Sequence, residues 1–550
     1  MNEKLSKHFG LILVLILCSL PLIGLLQPGL PVTHDGIDHV ARIANFYKGL
    51  TEGILFPRWA QNLNWGYGHP ILMFLYPFSS YFASLFHLVG FSFVDSLKLI
   101  FGIGYIASGV TMYVWAKKQF NDYFGIAASL LYVYAPYRFI DLYVRGAIGE
   151  HMAFIFPPLI LYFIYQYFNI KKIPLKTFSF IGISMSFALF LLAHNAISLM
   201  FIPFIICYSL ILSYQRKNYK ECLYVFLAIC NGFLLSSFFT VPAFLEGKFT
   251  LRDIVTGDEY KNRFVTNPLS FIYGVWSYGI TGQFSVQIGI AHILGILILP
   301  FVYLKTNKEF KILLITLFVF FVGAIILMVP QSNFIYQTIT TLQKFQFPWR
   351  FLSLTVFTSS LLGSGLFLVI KNSKAKKIIL IILILILLGS TLTYWKAKGY
   401  TRISDSFFEN VYNGTTDTGE SSPIWSVRFM EKRPKAHTEV ITGEAQIKEQ
   451  IRKSTLHKYS IKVESNEARM RENTLYFPNW KVIVDGREQN IQFQDPTERG
   501  LITYTLSKGV HNVLVKFEDT KLRMISNIVS LISLIATIVV GFTILKKNEK

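Results

Sequence analysis

Repeated apolar segments of about twenty residues dominate this chain, and each is long enough to cross the roughly 30 Å hydrocarbon core of a bilayer as a helix. Of the 550 residues, 52% are hydrophobic and 16% are aromatic. This composition excludes an ordinary soluble globular domain. We therefore predict a polytopic α-helical membrane protein.

About twelve membrane-spanning helices are predicted, from the apolar segments 11–27, 97–116, 122–136, 152–169, 177–194, 196–214, 221–243, 286–304, 310–329, 351–370, 377–394 and 524–545. A further apolar stretch, 71–92, differs because it contains Pro77 and the polar pair Ser79-Ser80. Those residues suit a juxtamembrane or re-entrant segment that packs against protein without crossing the bilayer. The first segment lacks a small-x-small cleavage site, which favours an uncleaved span over a signal peptide.

The formal net charge of +21 comes mostly from short Lys/Arg clusters between the apolar segments. Such clusters are a topology signal rather than a nucleic-acid-binding patch. If 71–92 does not cross, every cluster lies on the same side as Lys4 and Lys7, which the positive-inside rule assigns to the cytoplasm. We therefore expect a bacterial plasma-membrane protein with both termini cytoplasmic, the lipid bilayer as its surroundings and no nucleic-acid partner.

A long hydrophilic stretch, 396–522, separates the last two predicted spans. Its alternating pattern, as in Trp480 to Val484 before the predicted turn Asp485-Gly486 and in Val510 to Phe517 after a second predicted turn, Lys508-Gly509, predicts a small β-rich extracytoplasmic domain. The expected domains are a membrane domain 1–395 with outer loops 28–70 and 137–151, the β-rich domain 396–522, and a last helix with a cytoplasmic tail, 523–550.

The first outer loop carries two carboxylates, Asp35 and Asp38, about ten residues past the first span. Residues three apart can face the same way on a helical turn. Either carboxylate can act as a general base on an acceptor, or bind a divalent cation, Mg²⁺ or Mn²⁺, that holds a diphosphate. The structural alternative is an N-cap, in which Asp35 or Thr33 satisfies the free amides of an amphipathic helix from Ile37 to Leu50.

The second outer loop, 137–151, places arginines and carboxylates against the start of a span. Arg145 can bind a phosphate because guanidinium geometry matches its oxygens, and Glu150 can position a metal ion or an acceptor. The alternative is an Arg–Glu pair that only anchors the helix end. Arg138 and Asp141 are interpreted as such anchors.

Four more polar residues are candidates for substrate binding. His69 opens the 71–92 stretch, and His194 divides two spans that almost no loop separates, where a hydrogen-bonded turn residue is the alternative. Gln346 and Arg350 precede the span 351–370. Arg350 is suited to bind a lipid-linked phosphate. An equally good alternative is that its side chain only extends to the membrane interface.

Nucleotide-dependent chemistry finds no support in the sequence. There is no Walker loop, no dinucleotide-binding glycine fingerprint, no HExxH and no GxSxG. All four cysteines lie in apolar segments, so no disulfide framework or zinc motif is expected outside the membrane. An outward-facing enzyme must receive its activated donor through the membrane, and a polyprenyl-phosphate sugar is the obvious choice.

Several motifs, taken in order, resemble a known group of membrane proteins. They are Thr33-His34-Asp35-Gly36 with Asp38-His39 and Arg42, Trp65-Gly66-Tyr67-Gly68-His69-Pro70, Tyr143-Val144-Arg145-Gly146-Ala147 with Glu150, Gln346-Phe347-Pro348-Trp349-Arg350-Phe351, and Phe477-Pro478-Asn479-Trp480 with Val484-Asp485-Gly486. Together they resemble the GT-C superfamily of integral-membrane glycosyltransferases and, more narrowly, the bacterial YfhO-type and 6-pyruvoyl-tetrahydropterin synthase-related membrane proteins.

The resemblance implies a GT-C-like fold and an inverting transfer of a sugar from a polyprenyl-phosphate donor. It implies Asp35 as base or metal-linked activator, with Asp38 and Glu150 as secondary carboxylates and Arg145 and Arg350 near the donor phosphate. The adjacent Asp-Glu pair of many relatives is absent, because Gly36 follows Asp35. Metal use, with Asp35 and Glu150 as candidate ligands, is therefore an open alternative.

The leading hypothesis is an outward-facing glycosyltransferase that modifies a cell-envelope glycan or protein. Two rival functions remain open, a transporter or flippase of lipid-linked sugars and a non-catalytic envelope scaffold. Charged groups along a path at mid-membrane depth would favour transport. The predicted spans are nearly free of them, and the charges cluster at one face, which favours an enzyme.

Overall fold

The protein is a bundle of helices with a β-sheet near its C-terminal end, and the computed structural model describes residues 3–279 and 283–548. The α-helices are α1 Glu3–Ser19, α2 Gly36–Thr51, α3 Phe78–Leu88, α4 Phe93–Gln119, α5 Asp122–Val133, α6 Pro136–Phe139, α7 Ile148–Ala153, α8 Phe156–Asn169, α9 Ile173–Ala193, α10 Asn195–Arg216, α11 Lys220–Leu235, α12 Ser237–Leu245, α13 Arg252–Thr256, α14 Ile290–Leu297, α15 Leu299–Lys305, α16 Lys308–Leu327, α17 Asn333–Thr338, α18 Leu352–Ser364, α19 Leu366–Val369, α20 Ser373–Thr391, α21 Asp405–Glu409 and α22 Lys521–Asn548.

Nine helical segments in the described residues are long and apolar enough to cross a membrane, and each matches one predicted span. The other three predicted spans have a different form. Segment 122–136 contains only the short helix α5, segment 221–243 is the pair α11 and α12 bent by 75°, and segment 286–304 is divided into α14 and α15. If the bent pair is one span, the count becomes ten. The membrane fold is thus confirmed, and the twelve spans are not.

The 71–92 stretch does not form a spanning helix. It begins with a short 3₁₀ turn, Pro70–Met73, and continues as α3, which has 11 residues. A helix of that length rises only about 16 Å, roughly half of the hydrocarbon thickness. This agrees with the prediction that the stretch does not cross.

The predicted β-rich region is confirmed as a six-stranded sheet. The strands of the protein are β1 Leu30–Pro31, β2 Tyr400–Thr401, β3 Thr438–Thr442, β4 Ala445–Arg452, β5 Leu456–Leu475, β6 Trp480–Val484, β7 Arg487–Gln489 and β8 Leu501–Phe517. The sheet has the order β3-β5-β8-β6-β7, and β4 also pairs with β5. Every pairing is antiparallel, as expected for strands that alternate buried and exposed residues.

One of the two predicted turns in the sheet is wrong. Asp485 and Gly486 have φ angles of 49° and 83° and join β6 to β7, as a two-residue hairpin turn requires. Lys508-Gly509 makes no turn, because β8 runs through both residues. Gly509 lies opposite Val463, where β5 has a bulge, and its φ of 139° fits that irregular pairing.

The sheet rests on the first outer loop. Trp59 of that loop is buried, and its ring lies 5.3 Å from that of Trp480 in β6. Arg58 donates a 2.6 Å hydrogen bond to Asp519, just before α22. Further along, β1 pairs with β2 and so joins the first loop to the segment after α20. The hydrophilic C-terminal region is therefore in direct contact with the loop that carries the two aspartates.

Candidate active site

The second outer loop contains an unusual helical turn. Residues Ile140–Arg145 form a π-helical turn, which ends at Gly146 with a φ of 68°. π-helical insertions are rare and occur frequently at functional sites. Gly146 is required here, because its backbone is left-handed and a Cβ atom would collide with the side chain of Thr33. The two outer loops therefore meet at this glycine.

Backbone hydrogen bonds fix the position of Asp35. The N–H of His34 donates to the carbonyl of Val144 (3.0 Å), and the N–H of Asp35 donates to that of Arg145 (2.9 Å). Thr33, and not Asp35, caps the following helix, since its hydroxyl accepts from the N–H of Gly36 at 3.1 Å. Within the described chain the Asp35 carboxylate accepts no hydrogen bond. Its charge is therefore not used for helix capping.

Glu150 is the centre of a buried ion cluster. It is 1% exposed, and both of its carboxylate oxygens bind Arg145, at 2.8 and 3.0 Å. The hydroxyl of Tyr137 donates to Oε2 at 2.7 Å, and Nε of Arg350 donates to Oε1 at 2.9 Å. A carboxylate held by two guanidinium groups and a hydroxyl is a poor base, because its charged form is strongly stabilised.

The same cluster leaves part of Arg350 free. Arg145 also binds Asp141 at 2.8 Å, so its guanidinium is largely occupied. Arg350 donates through Nε to Glu150 and through Nη1 to the carbonyl of Phe345, while Nη2 has no partner among the described residues. Its guanidinium lies 4.8 Å from the ring centre of Phe347, and its side chain is 14% exposed. Arg350 can therefore still bind an anion.

Asp38 has a different environment from Asp35. The hydroxyl of Tyr412, from the hydrophilic C-terminal region, donates to Asp38 Oδ1 at 2.8 Å. Burial raises the pKa of Asp38 above its ordinary value, although Arg42 and Tyr412 act in the opposite direction. Asp38 thus accepts a hydrogen bond from the C-terminal region, whereas no described group donates to the Asp35 carboxylate.

A small cleft of about 20 Å³ lies between α2, which carries Asp38, and the 71–92 stretch. Three side chains that line it have a buried polar atom without a hydrogen-bond partner in the described residues: Nε2 of His39, Nε of Arg42 and Oγ of Ser79. Arg42 is 8% exposed and forms no ion pair within the described ranges. A buried, unpaired guanidinium is costly unless an anion accompanies it.

Tyr76 joins the cleft to the ion cluster. Its ring lines the cleft, stacks on His194 with ring centres 4.9 Å apart, and lies so close to Gly149 that a Cβ atom there would collide with it. Burial raises the pKa of the Tyr76 hydroxyl, and the charges of Arg42, Asp35, Arg350 and Glu150 all act on it. Both sets of charged residues therefore surround one tyrosine.

The net charge of this region depends on the protonation of Asp141. Burial, with the negative charge of Glu150, raises the pKa of Asp141 well above its ordinary value, which favours its neutral form. The guanidinium groups of Arg42, Arg145 and Arg350 then balance the formal charges of Asp35, Asp38 and Glu150. A phosphate at this site would bind through charge-assisted hydrogen bonds to a guanidinium group with a free N–H, such as Nη2 of Arg350.

Residues 72–397 match the family described as 6-pyruvoyl-tetrahydropterin synthase related domain, membrane protein. That segment is more than half of the chain. The chain belongs to this family. This match confirms the family that the motifs, taken in order, predicted by resemblance.

One relative of the chain is an uncharacterized protein of Lactococcus lactis subsp. cremoris, and the two are 23% identical over 290 residues. The match covers 50% of this chain and 46% of the relative, so the chain spans less than half of the relative's length.

Several solved structures are similar in fold to this chain. They include the arabinofuranosyltransferase AftD from Mycobacteria (TM-score 0.46, 13% identity, 71% of this chain and 27% of that chain). The oligosaccharyltransferase of Archaeoglobus fulgidus gives a TM-score of 0.38 at 12% identity, over 73% of this chain and 53% of that chain. ArnT from Cupriavidus metallidurans bound to undecaprenyl phosphate gives 0.31 at 10% identity, over 67% and 78%.

Most of the predicted site residues adjoin the cleft or the ion cluster, and two bind other partners. The residues that adjoin the cleft or the ion cluster are Asp35, Asp38, Arg145, Glu150, His194 and Arg350. His69 is fully buried against Ser422, with Nε2 and Oγ 3.1 Å apart. Gln346 donates to Glu259 at 2.9 Å and makes no hydrogen bond to Glu150 among the described residues.

The predicted metal ligands do not form a metal site. Glu150 has both carboxylate oxygens occupied by cationic and hydroxyl donors, so it has no free lone pair directed at an ion. No three metal-binding side chains converge in residues 3–279 or 283–548. The residues therefore do not fit the divalent cation that Asp35 and Glu150 were expected to hold.

Sequence reasoning missed part of the cleft. The motif that contains His39 and Arg42 predicts no role for either residue, and no local pattern singles out Tyr412. The polar pair Ser79-Ser80 in an apolar stretch was a visible signal, although it was interpreted only as evidence against a span. Tyr76 gave no signal, because aromatic residues are common throughout the chain.

Proposed function

We propose that this protein is a membrane glycosyltransferase that moves a sugar from a polyprenyl-phosphate donor to a glycan or protein of the cell envelope. The observation that carries the proposal is the Asp35 carboxylate, which no described group binds although its backbone is held on both sides. The nearby cleft contains the buried, unpaired guanidinium of Arg42. A free carboxylate close to a free cation suits transfer of a sugar from a phosphate.

The proposed reaction is a single displacement. The acceptor hydroxyl gives its proton to Asp35 as its oxygen forms a bond to the anomeric carbon of the sugar. The bond from that carbon to the phosphate oxygen breaks, and its electron pair leaves with the polyprenyl phosphate. Arg42 and Arg350 stabilise the phosphate charge, and one displacement inverts the anomeric configuration.

His39 and Ser79 contribute to sugar binding in this proposal. Burial lowers the pKa of His39 well below its ordinary value, so the ring is neutral and its unpaired Nε2 can accept a hydroxyl hydrogen. The unpaired hydroxyl of Ser79 can donate or accept. Both atoms are buried, and a sugar hydroxyl would relieve the cost of leaving them unpaired.

The proposed orientation places the site at the outer face of the membrane and both termini in the cytoplasm. The N-terminal end of α4 contacts the hydrophilic C-terminal region, since Asp405 accepts a 2.9 Å hydrogen bond from the N–H of Phe93. The other end of α4 carries Lys117 and Lys118. The positive-inside rule assigns that end to the cytoplasm. The region 396–522 is then extracytoplasmic and suited to hold the acceptor.

The test compares lipid-linked sugars extracted from cells that lack the protein with those from cells that regain it. We expect one polyprenyl-linked sugar to accumulate without the protein and to be consumed when the wild-type chain is restored. Arg42→Gln should slow this consumption about ten- to a hundredfold, the value of charge-assisted hydrogen bonds to the phosphate. Arg402→Gln, at an exposed arginine of the same region, should have no effect.

Other outcomes distinguish the rival functions. A lipid-linked sugar that stays intact but changes its distribution between the two leaflets would identify a transporter and contradict the proposal. Lipid-linked sugars that do not respond to the protein at all would favour a scaffold. Equal losses in Arg42→Gln and Arg402→Gln would remove the role assigned to the cleft.

A further inference from the structure

A second cleft lies at the end of the helix bundle opposite to the candidate active site. Helix α4 has 27 residues and so extends about 40 Å. Its C-terminal end, together with α1 and α8, borders an open cleft of about 270 Å³. The wall includes Leu11 of α1, Val114, Lys117 and Lys118 of α4, and Tyr162 of α8. No part of this cleft belongs to the site described above.

The cleft has an apolar wall and a cationic end. Val114 is 37% exposed although it is apolar, and Leu11 and the ring of Tyr162 are half-buried beside it. Lys118 follows Val114 by one helical turn, is exposed, and forms no ion pair within the described part of the chain. Residues four apart lie on the same face of a helix. An unpaired ammonium group therefore lies directly beyond an open apolar surface.

The cationic end is held in place by a small polar network. Lys117 binds Asp122 and the hydroxyl of Tyr113, both at 2.8 Å, and Tyr113 donates to Asp122 at 2.7 Å. Gly10 of α1 packs against this network, because a Cβ atom there would lie 2.5 Å from the Tyr113 hydroxyl. Lys117 is thus paired with the Asp122 carboxylate, and the unpaired ammonium group of Lys118 leaves the cleft with a net positive charge.

We propose that this cleft binds the headgroup of an anionic phospholipid, with the phosphate at Lys118 and Lys117 and the start of an acyl chain along Leu11 and Val114. Basic pockets between transmembrane helices bind anionic headgroups, and each lysine near the membrane surface adds attraction. A free anion would use the lysines and leave the apolar wall uncovered. The combination of both surfaces favours a lipid.

The experiment uses the full chain in detergent and native mass spectrometry. Phosphatidylglycerol and phosphatidylcholine with the same acyl chains are added in equal amounts, and the bound lipids are counted. We expect preferential retention of phosphatidylglycerol. Lys118→Gln should weaken that retention about fivefold, the effect of one lysine charge. The matched control Lys305→Gln removes an exposed lysine that lies outside the cleft and should change nothing.

A second variant tests the apolar wall without changing the charge. Val114→Trp fills the cleft from a partly exposed position and should also reduce phosphatidylglycerol retention. Inorganic phosphate should not displace the lipid, and its displacement would identify a free-anion site and overturn the lipid assignment. Equal retention of both lipids by the wild-type chain, or equal losses in Lys118→Gln and Lys305→Gln, would also overturn it.

Discussion

Asp35→Asn separates the two roles that the sequence left open for this residue. A general base needs the carboxylate charge, whereas a helix cap needs only a side-chain oxygen, and Asn caps about as well as Asp. In the structure the cap is supplied by Thr33, whose hydroxyl accepts from the N–H of Gly36 at 3.1 Å. The Asn variant should therefore fold and insert normally while it loses the proposed chemistry.

The expected magnitudes of the two effects differ clearly. Loss of a general base costs at least about a hundredfold in rate. The free energy of unfolding should change by less than about 0.5 kcal/mol, because no described group binds the Asp35 carboxylate. Thr33→Val is the matched control. It removes the cap, should lower the free energy of unfolding by about 1 kcal/mol and should retain transfer.

The assay follows consumption of the polyprenyl-linked sugar that accumulates in cells without the protein, together with the unfolding temperature of each purified variant. Asp38→Asn should cost less than Asp35→Asn, because Asp38 already accepts a hydrogen bond from Tyr412. Near-normal consumption by the Asp35→Asn variant would refute the reasoning. It would make Asp35 a structural residue and shift the proposed base to Asp38.

Three further predictions concern stability and orientation. Glu150→Gln should lower the free energy of unfolding by about 3–5 kcal/mol, because two buried guanidinium groups lose their carboxylate; an unchanged unfolding temperature would contradict the role of the ion cluster. Burial lowers the pKa of His69 from 6.5 to about 3, so only the unfolded chain takes up this proton as the pH falls below 6.5. The wild-type protein should therefore lose stability as the pH falls below 6.5. The unfolding temperature of wild type should exceed that of His69→Asn by less at about pH 5 than at about pH 8. If this difference in unfolding temperature did not change with pH, it would argue against a neutral His69. In a cysteine-free background, a membrane-impermeant thiol reagent added to intact cells should label Asp95→Cys and not Lys118→Cys, at the two ends of α4; the reverse pattern would invert the proposed topology.

The sequence by itself determined the class of the fold. Long apolar segments can satisfy their backbone hydrogen bonds in a bilayer only as helices, so hydropathy and length alone located nine of the predicted spans correctly. The alternation before Asp485-Gly486 likewise predicted a hairpin, because both residues tolerate positive φ. These are local signals, and they depend on residues that are close in the chain.

The tertiary structure decided how the polar residues are used. In the sequence, Glu150 and Arg145 are candidates for catalysis and phosphate binding. In the fold they bind each other, and Arg350, about 200 residues away in the chain, binds the same Glu150 carboxylate. It brings Tyr412 to Asp38, and Arg42 and Ser79 to one cleft. Whether a charged side chain is paired or free depends on partners that are distant in sequence. Charge pairing at that range follows from packing, which no local pattern encodes.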